Sequence, residues 1–211
     1  MAPPFITFEG IDGCGKSTQL RLLASELRLR GREVVTTREP GGTPLGVRVR
    51  ELLLDARQQV DPLAELLLYA ADRAQHVRQL VRPALESGRV VLSDRYADAT
   101  VAYQGAGRGF AASLIDEVVA LATDGLRPDL TLVFDLPIAE SRQRADQRAR
   151  RGGAIQDRID AEETAFHQRV REAYLRIAAA EPDRVRVIDA SAAIEEVHVH
   201  VVRVVTPLLK L

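Results

Sequence analysis

The chain has 211 residues, 46% of them hydrophobic, and a formal net charge of −1, which suits one well-buried α/β domain over residues 1–211 and leaves little room for a second. A pI near 6.4 lacks the basic excess that binding a phosphate backbone requires, so no nucleic-acid partner is expected. The apolar runs are short and broken by charge, so no membrane association and no secretory leader are expected, and a single cysteine, Cys14, excludes an internal disulfide and a multi-cysteine zinc site; the expected location is cytoplasmic.

Phe5 to Phe8 reads as a buried strand, and Leu20, Leu22, Leu23 and Leu27 recur at helical spacing beyond a Gly-rich turn. Between them Gly10, Ile11, Asp12, Gly13, Cys14, Gly15, Lys16 and Ser17 fit G-x-x-x-x-G-K-[ST] at every fixed position, with Thr18 following. Glycines let successive N–H groups curl inward, and a helix starting near Lys16 adds its positive end, so a polyphosphate such as that of ATP meets a preformed anion hole. Lys16 would reach the β- and γ-phosphates, and the Ser17 hydroxyl would ligate Mg²⁺. The bland alternative is a Gly-rich turn with an incidental lysine. Against it, only Lys16 and Lys210 among the 29 basic residues are lysine. The helix N-terminus is expected to depress the pKa of Cys14, with burial acting the other way.

Four further strands are expected, over 33–37, 90–94, 130–135 and 185–189, with helical patterns between them, the signature of crossover connections in a parallel sheet. Ligands of such sheets sit at the carboxyl ends of the strands, which makes Asp94, Asp135 and Asp189 candidates by position. After the second strand, Arg38, Glu39, Pro40, Gly41 and Gly42 form a turn cluster, with Thr43 as N-cap and Pro44 as first residue of a helix carrying Arg48 and Arg50. Asp61 and Pro62 open a long helix to about Arg82, where Pro83 would break or kink it. On it Tyr69 and Arg73 are i, i+4 neighbours, and periodicity alone favours a partly buried tyrosine beside a solvated arginine.

The third strand ends in Ser93, Asp94, Arg95 and Tyr96 and leads to Thr100, Tyr103 and Gln104, a dense polar cluster where a site is expected; a structural Asp–Arg pair is the alternative. Over 142–158 arginines crowd: Arg142, Arg144, Arg148, Arg150 and Arg151, then Gly152, Gly153, Asp157 and Arg158. Glycines between arginine-bearing pieces suggest a lid that brings cations over phosphates, against the plainer reading of a solvated face. Residues 197–201 alternate like a strand, but Val197, Val201 and Val205 also form a helical stripe, so 191–206 is expected to be a helix, with His198 and His200 exposed rather than ligating, because an i, i+2 spacing does not converge on a metal.

The phosphate loop, the run from Thr37 to Thr43, the run from Tyr69 to Gln75, Asp94-Arg95-Tyr96, the run from Ala102 to Gly109 and Asp157-Arg158-Ile159, in this order and spacing, resemble bacterial thymidylate kinases over nearly the whole chain. The resemblance implies a three-layer α/β phosphate-loop fold with a five-stranded parallel sheet of order 2-3-1-4-5, a homodimer, and transfer of the ATP γ-phosphoryl group to dTMP. It also implies that Tyr69, where the family usually has Phe, stacks on thymine, that Arg73 bonds a thymine carbonyl, and that Thr100, Tyr103 and Gln104 border the acceptor. Asp12 would approach the sugar 3′-hydroxyl, Arg95 with Arg38 and Arg50 would hold the acceptor phosphate, and Asp94 would support Mg²⁺ through water. Gly13 stands where some members carry a catalytic arginine. By analogy the arginine then comes from the lid, with Arg151 ranked ahead of Arg148 and Arg150.

Three other readings fit less well. A deoxynucleoside kinase must deprotonate a neutral hydroxyl and would want a carboxylate where Ser93 stands. A GTPase switch needs an Asn-Lys-x-Asp motif, and the chain has no Asn. A non-catalytic nucleotide sensor would not need Lys16, Ser17 and an arginine-rich lid together.

Overall fold

The computed structural model describes residues 3–150 and 157–209. Strands β1 (Phe5–Glu9), β2 (Val34–Arg38), β3 (Val90–Asp94), β4 (Leu130–Asp135) and β5 (Val185–Asp189) pair in parallel in the order β2-β3-β1-β4-β5. This is the expected sheet, with β2 shifted by one residue so that it ends on Arg38. Every parallel neighbour needs a crossover, and helices supply it: α1 (Lys16–Leu29), α2 (Pro44–Leu54), α3 (Pro62–His76), α4 (Arg82–Glu86), α5 (Ala97–Thr100), α6 (Ala112–Thr123), α7 (Ile138–Arg150), α8 (Thr164–Ala180) and α9 (Ile194–Leu209).

Alternation along the central strands divides the sheet into two unlike faces. Ile6, Phe8, Leu92, Leu132 and Phe134 join Leu20, Leu23 and Leu27 of α1 and Val201 and Val205 of α9 in the main core. Their alternating neighbours Thr7, Glu9, Ser93 and Thr131 are polar, yet equally buried. Burial of such groups is tolerated only when they are bonded, and Thr7 Oγ1 meets Thr131 Oγ1 at 2.8 Å. The polar face is the one that leads into the site.

Helix starts follow the sequence. Thr43 accepts the N–H of Gly46 at 3.0 Å and Asp61 accepts that of Leu63 at 2.8 Å, each capping a helix whose first residue is proline. The expected break at Pro83 does not occur. The helix instead widens into a π-helical stretch over Val77–Val81 and continues as α4, so Pro83 falls in a first turn, where a missing N–H costs least. A second π-helical stretch, Val101–Gly107, follows α5 and carries Tyr103 and Gln104. Among the described residues no helix is long and apolar enough to cross a membrane.

Candidate active site

The turn between β1 and α1 is shaped by left-handed backbone. Gly10, Gly13 and Gly15 have φ of 131°, 84° and 94°, values that L side chains rarely adopt. At Gly13 the constraint is also steric, because a Cβ there would lie 2.4 Å from the Ser141 carbonyl oxygen. Lys16 is the first residue of α1 and is nearly buried. Its Nζ donates to the Ile11 carbonyl at 2.9 Å and lies 3.8 Å from Asp12 Oδ1, so the lysine is held against the loop. Cys14 lies beneath it, 2% exposed. Burial pushes its thiol above the ordinary value despite the Lys16 charge, which overturns the expected depression: the desolvation of a thiolate outweighs the helix end.

Ser17 Oγ donates to Asp94 Oδ2 at the end of β3. One hydroxyl and one carboxylate at the mouth of a phosphate loop are hard oxygen donors of the kind Mg²⁺ takes, with waters and phosphate oxygens completing its shell. The other strand-end aspartates do not join them. Asp135 is held by both Nε and Nη2 of Arg171, at 2.6 and 2.8 Å, and Asp189 accepts the N–H and hydroxyl of Ser191 at 2.9 and 2.6 Å, so both are used locally.

Arg95 follows Asp94 with φ of 75°, a strained value for an arginine. Three bonds fix it: its N–H to the Phe8 carbonyl at 3.0 Å, the Ser93 hydroxyl to its carbonyl at 2.7 Å, and the Tyr96 N–H to Glu9 Oε1 at 2.7 Å. The side chain donates to both oxygens of Asp12 at 2.9 and 2.8 Å and lies 4.7 Å over the Tyr103 ring. Asp12, Lys16, Ser17, Arg38, Arg50, Asp94 and Arg95 line one open groove of about 400 Å³. Arg50 donates to the Pro40 carbonyl at 3.1 Å. Burial, and then the charge of Arg38, lower its affinity for its proton, the mark of cations facing one another across a groove suited to an anion.

Beyond Asp12 and Arg95 the groove narrows to a cleft of about 60 Å³ lined by Tyr69, Arg73, Thr100, Tyr103 and Gln104. Periodicity gave Arg73 a solvated place, but it is 2% exposed. It donates to Glu39 Oε2, Thr100 Oγ1 and the Tyr96 carbonyl at 2.8, 2.7 and 2.8 Å. Its five N–H groups exceed these three bonds. Glu39 also meets His76 Nδ1 at 2.7 Å, and His76 Nε2 meets Thr37 Oγ1 at 2.7 Å. Burial acts to raise the Glu39 carboxyl, but Arg73 and His76 leave it below its ordinary value. Tyr69 is half-buried.

Two residues that the sequence did not single out hold this assembly. Buried Glu65, one turn before Tyr69, receives Gln104 Nε2 at 2.8 Å, Arg108 Nε at 3.1 Å and Arg108 Nη2 at 3.0 Å, together with Arg158 Nη2. Buried Glu9 accepts the Tyr174 hydroxyl at 2.8 Å, and that oxygen lies 3.4 Å from Arg95 Nη1. A glutamate following apolar strand residues, directly before the loop, was the available signal for Glu9; nothing local marked Glu65. In the predicted lid, Arg144 lines the phosphate groove and donates to the Ala190 carbonyl at 2.8 Å. Arg151 lies outside the described residues, as do the side chains of Arg148 and Arg150. His198, expected to be exposed, is half-buried and bridges Gln19 and Glu26, each at 3.1 Å.

A family model described as Thymidylate kinase matches residues 8–201. A thymidylate kinase of Geobacter sp. (strain M21) is 52% identical over 194 residues, 91% of this chain and 86% of that protein. One of Deinococcus radiodurans is 51% identical over 197 residues, 93% of either chain. Among solved structures, thymidylate kinase from Ehrlichia chaffeensis matches with a TM-score of 0.79 at 38% identity, covering 98% of this chain and 100% of that one.

Proposed function

The chain belongs to the thymidylate kinase family, and we propose that it transfers the γ-phosphoryl group of ATP to dTMP, giving dTDP and ADP on the route to dTTP. The observation that carries this reading is the continuity of two compartments. An anion groove on the phosphate loop opens into a narrow cleft holding a buried arginine, and Asp12 and Arg95 line both.

In this reading the N–H groups from Gly10 to Thr18 cradle the ATP phosphates, and Lys16 neutralises charge on the transferring group. Ser17 and, through water, Asp94 would hold Mg²⁺, which when bound would supply positive charge to neutralise the ATP phosphates. Arg95, Arg38 and Arg50 hold the acceptor phosphate, and Asp12 meets the sugar. Tyr69 stacks on thymine, Arg73 donates to a ring carbonyl, and Thr100, Tyr103 and Gln104 close the cleft. A phosphate monoester is already ionised, so no general base is needed, and catalysis is alignment and charge neutralisation.

The catalytic arginine comes from the lid, from Arg151 first and otherwise from Arg148 or Arg150. The crowding of Gly13 against Ser141 supports this, since the loop has no space for a side chain at that position. The enzyme acts in the cytoplasm as a homodimer, for which the exposed Leu63 and Leu67 of α3 and Leu114 and Leu121 of α6, two helices that pack together, offer apolar surface.

The test is ADP release from ATP and Mg²⁺ with each nucleoside monophosphate in turn: dTMP is expected to be the preferred acceptor, and a clear preference for another would overturn the assignment. For the lid, Ala variants of Arg148, Arg150 and Arg151 are compared with both substrates varied. One is expected to lose kcat with little change in either KM; three unchanged kcat values would place the arginine elsewhere.

A further inference from the structure

We propose that Glu65 is a positioning residue that fixes which end of the Gln104 amide meets the nucleobase, and so restricts the acceptor to pyrimidines carrying a ring N3–H. The inference rests on the reading above in which Gln104 borders the base.

An amide side chain has two nearly isosteric ends of opposite hydrogen-bonding sense. Which end faces a ligand is decided by what holds the other end. For Gln104 the partner is Glu65 Oε1, 2.8 Å from Nε2. Both residues are buried, Glu65 fully and Gln104 at 2% exposure, so water does not compete for the bond. Glu65 is kept ionised although burial opposes it, because Arg108, Gln104 and Arg158 all donate to it and leave its carboxyl below its ordinary value. An ionised carboxylate only accepts. It therefore demands the NH₂ end of Gln104, and the carbonyl end is left for the cleft that Gln104 lines with Tyr69 and Arg73.

A carbonyl oxygen presented in that way accepts from a ring N–H. Thymine and uracil offer one at N3, while cytosine offers a lone pair there. Cytosine would set acceptor against acceptor in a buried place and leave both unpaired, the arrangement by which polar sites reject analogues most strongly. Turning the amide over would cure the clash, but it would aim the carbonyl of Gln104 at the Glu65 carboxylate. The discrimination thus resides in a carboxylate that never touches the base.

The test compares kcat/KM for dTMP and dCMP in the wild type, Glu65→Gln and Gln104→Leu. The neutral Glu65→Gln can donate or accept, so it frees the amide to turn. The dTMP/dCMP preference is expected to shrink at least tenfold with the ATP KM unchanged, and Glu65→Asp, which keeps the anion, is expected to retain it. If Glu65→Gln lowers both acceptors equally while Gln104→Leu collapses the preference, Glu65 is merely structural and the proposal is overturned. If Gln104→Leu leaves the preference intact, the base reading of Gln104 fails instead, and the proposal with it. A wild type that takes dCMP as readily as dTMP overturns the acceptor assignment itself. Should Glu65→Gln fail to fold for want of an anion, the charge-balanced Glu65→Gln/Arg158→Met carries the same comparison.

Discussion

The groove on the phosphate loop and the cleft proposed to take the nucleobase meet at Asp12 and Arg95, yet they are made of different material. The groove is a backbone object. Its shape comes from three positive-φ glycines within six residues and the start of α1, and Ser17 and Arg38 at its rim are exposed. The cleft is a side-chain object. Arg73 is held by Glu39, Thr100 and Tyr96, and Gln104 by Glu65, so three separate segments must arrive together. A backbone-built anion hole is satisfied by any polyphosphate, whereas a cleft of buried, oppositely charged partners selects a particular ring. In the proposed reading, a division of labour between donor binding and acceptor choice follows from that difference.

The largest effect is expected on the donor side at Lys16, the lysine held against the phosphate loop. Lys16→Ala leaves the glycine turn intact and is expected to lower kcat by about 10²–10³-fold, the usual consequence of losing one preorganised charge at a transition state. Near-normal turnover would mean that the backbone alone suffices. On the acceptor side, Tyr69→Ala would remove the proposed stacking surface, worth about 1–3 kcal/mol per base, or roughly 5- to 150-fold. The effect is expected in the KM for dTMP, with the KM for ATP unmoved; equal changes in both would reduce Tyr69 to core packing.

A third measurement bears on the polar sheet face under the junction. Burial first, and the Asp98 charge second, raise the Glu9 carboxyl from 4.5 to about 8, against the opposing pull of Arg95, Tyr174 and the Tyr96 N–H. A raised carboxyl holds its proton longer in the folded than in the unfolded chain, so its contribution to stability is complete below pH 4.5 and is lost as pH rises toward 8. Glu9→Gln does not titrate. Its Tm relative to the wild type is therefore expected to climb between pH 5 and 8, by an amount equivalent to a few kcal/mol at most. A flat difference would show that Glu9 is ionised throughout.

How much of this was legible follows the same division. The groove could be read from one octapeptide, because a backbone conformation is specified by the residues that adopt it; the five strands could be read for a similar reason, as short apolar runs between long helical patterns. The strand-end position of Thr100, Tyr103 and Gln104 was legible, but the place of Tyr69 and Arg73 in the cleft was legible only through resemblance. Periodicity placed Arg73 in solvent since it cannot see Glu39, 34 positions away in the chain, and Glu65, which binds three other residues from as far as 93 positions away, carries no local mark at all. Pro83 misled in the opposite direction: a π-helical stretch absorbs what an ideal α-helix cannot.

The smallest effect is expected at Cys14, where the same backbone object argues against reactivity. A cysteine beside a helix N-terminus and a lysine would ordinarily ionise early, but here the sulfur sits under the loop rather than in it. It is 2% exposed, in contact range of Lys16 Nζ at 3.8 Å, and burial drives its pKa up. A thiol reagent attacks a thiolate that can be reached, and this one is neither formed near neutral pH nor accessible. Native protein treated with iodoacetamide at pH 7.5 is therefore expected to keep its activity for hours and to lose it at the rate of its unfolding, with ATP protecting only as far as it stabilises the fold. Rapid inactivation of the folded protein, blocked by ATP at concentrations that do not change its Tm, would show that the loop opens over Cys14 and that the groove is less rigid than its glycines imply.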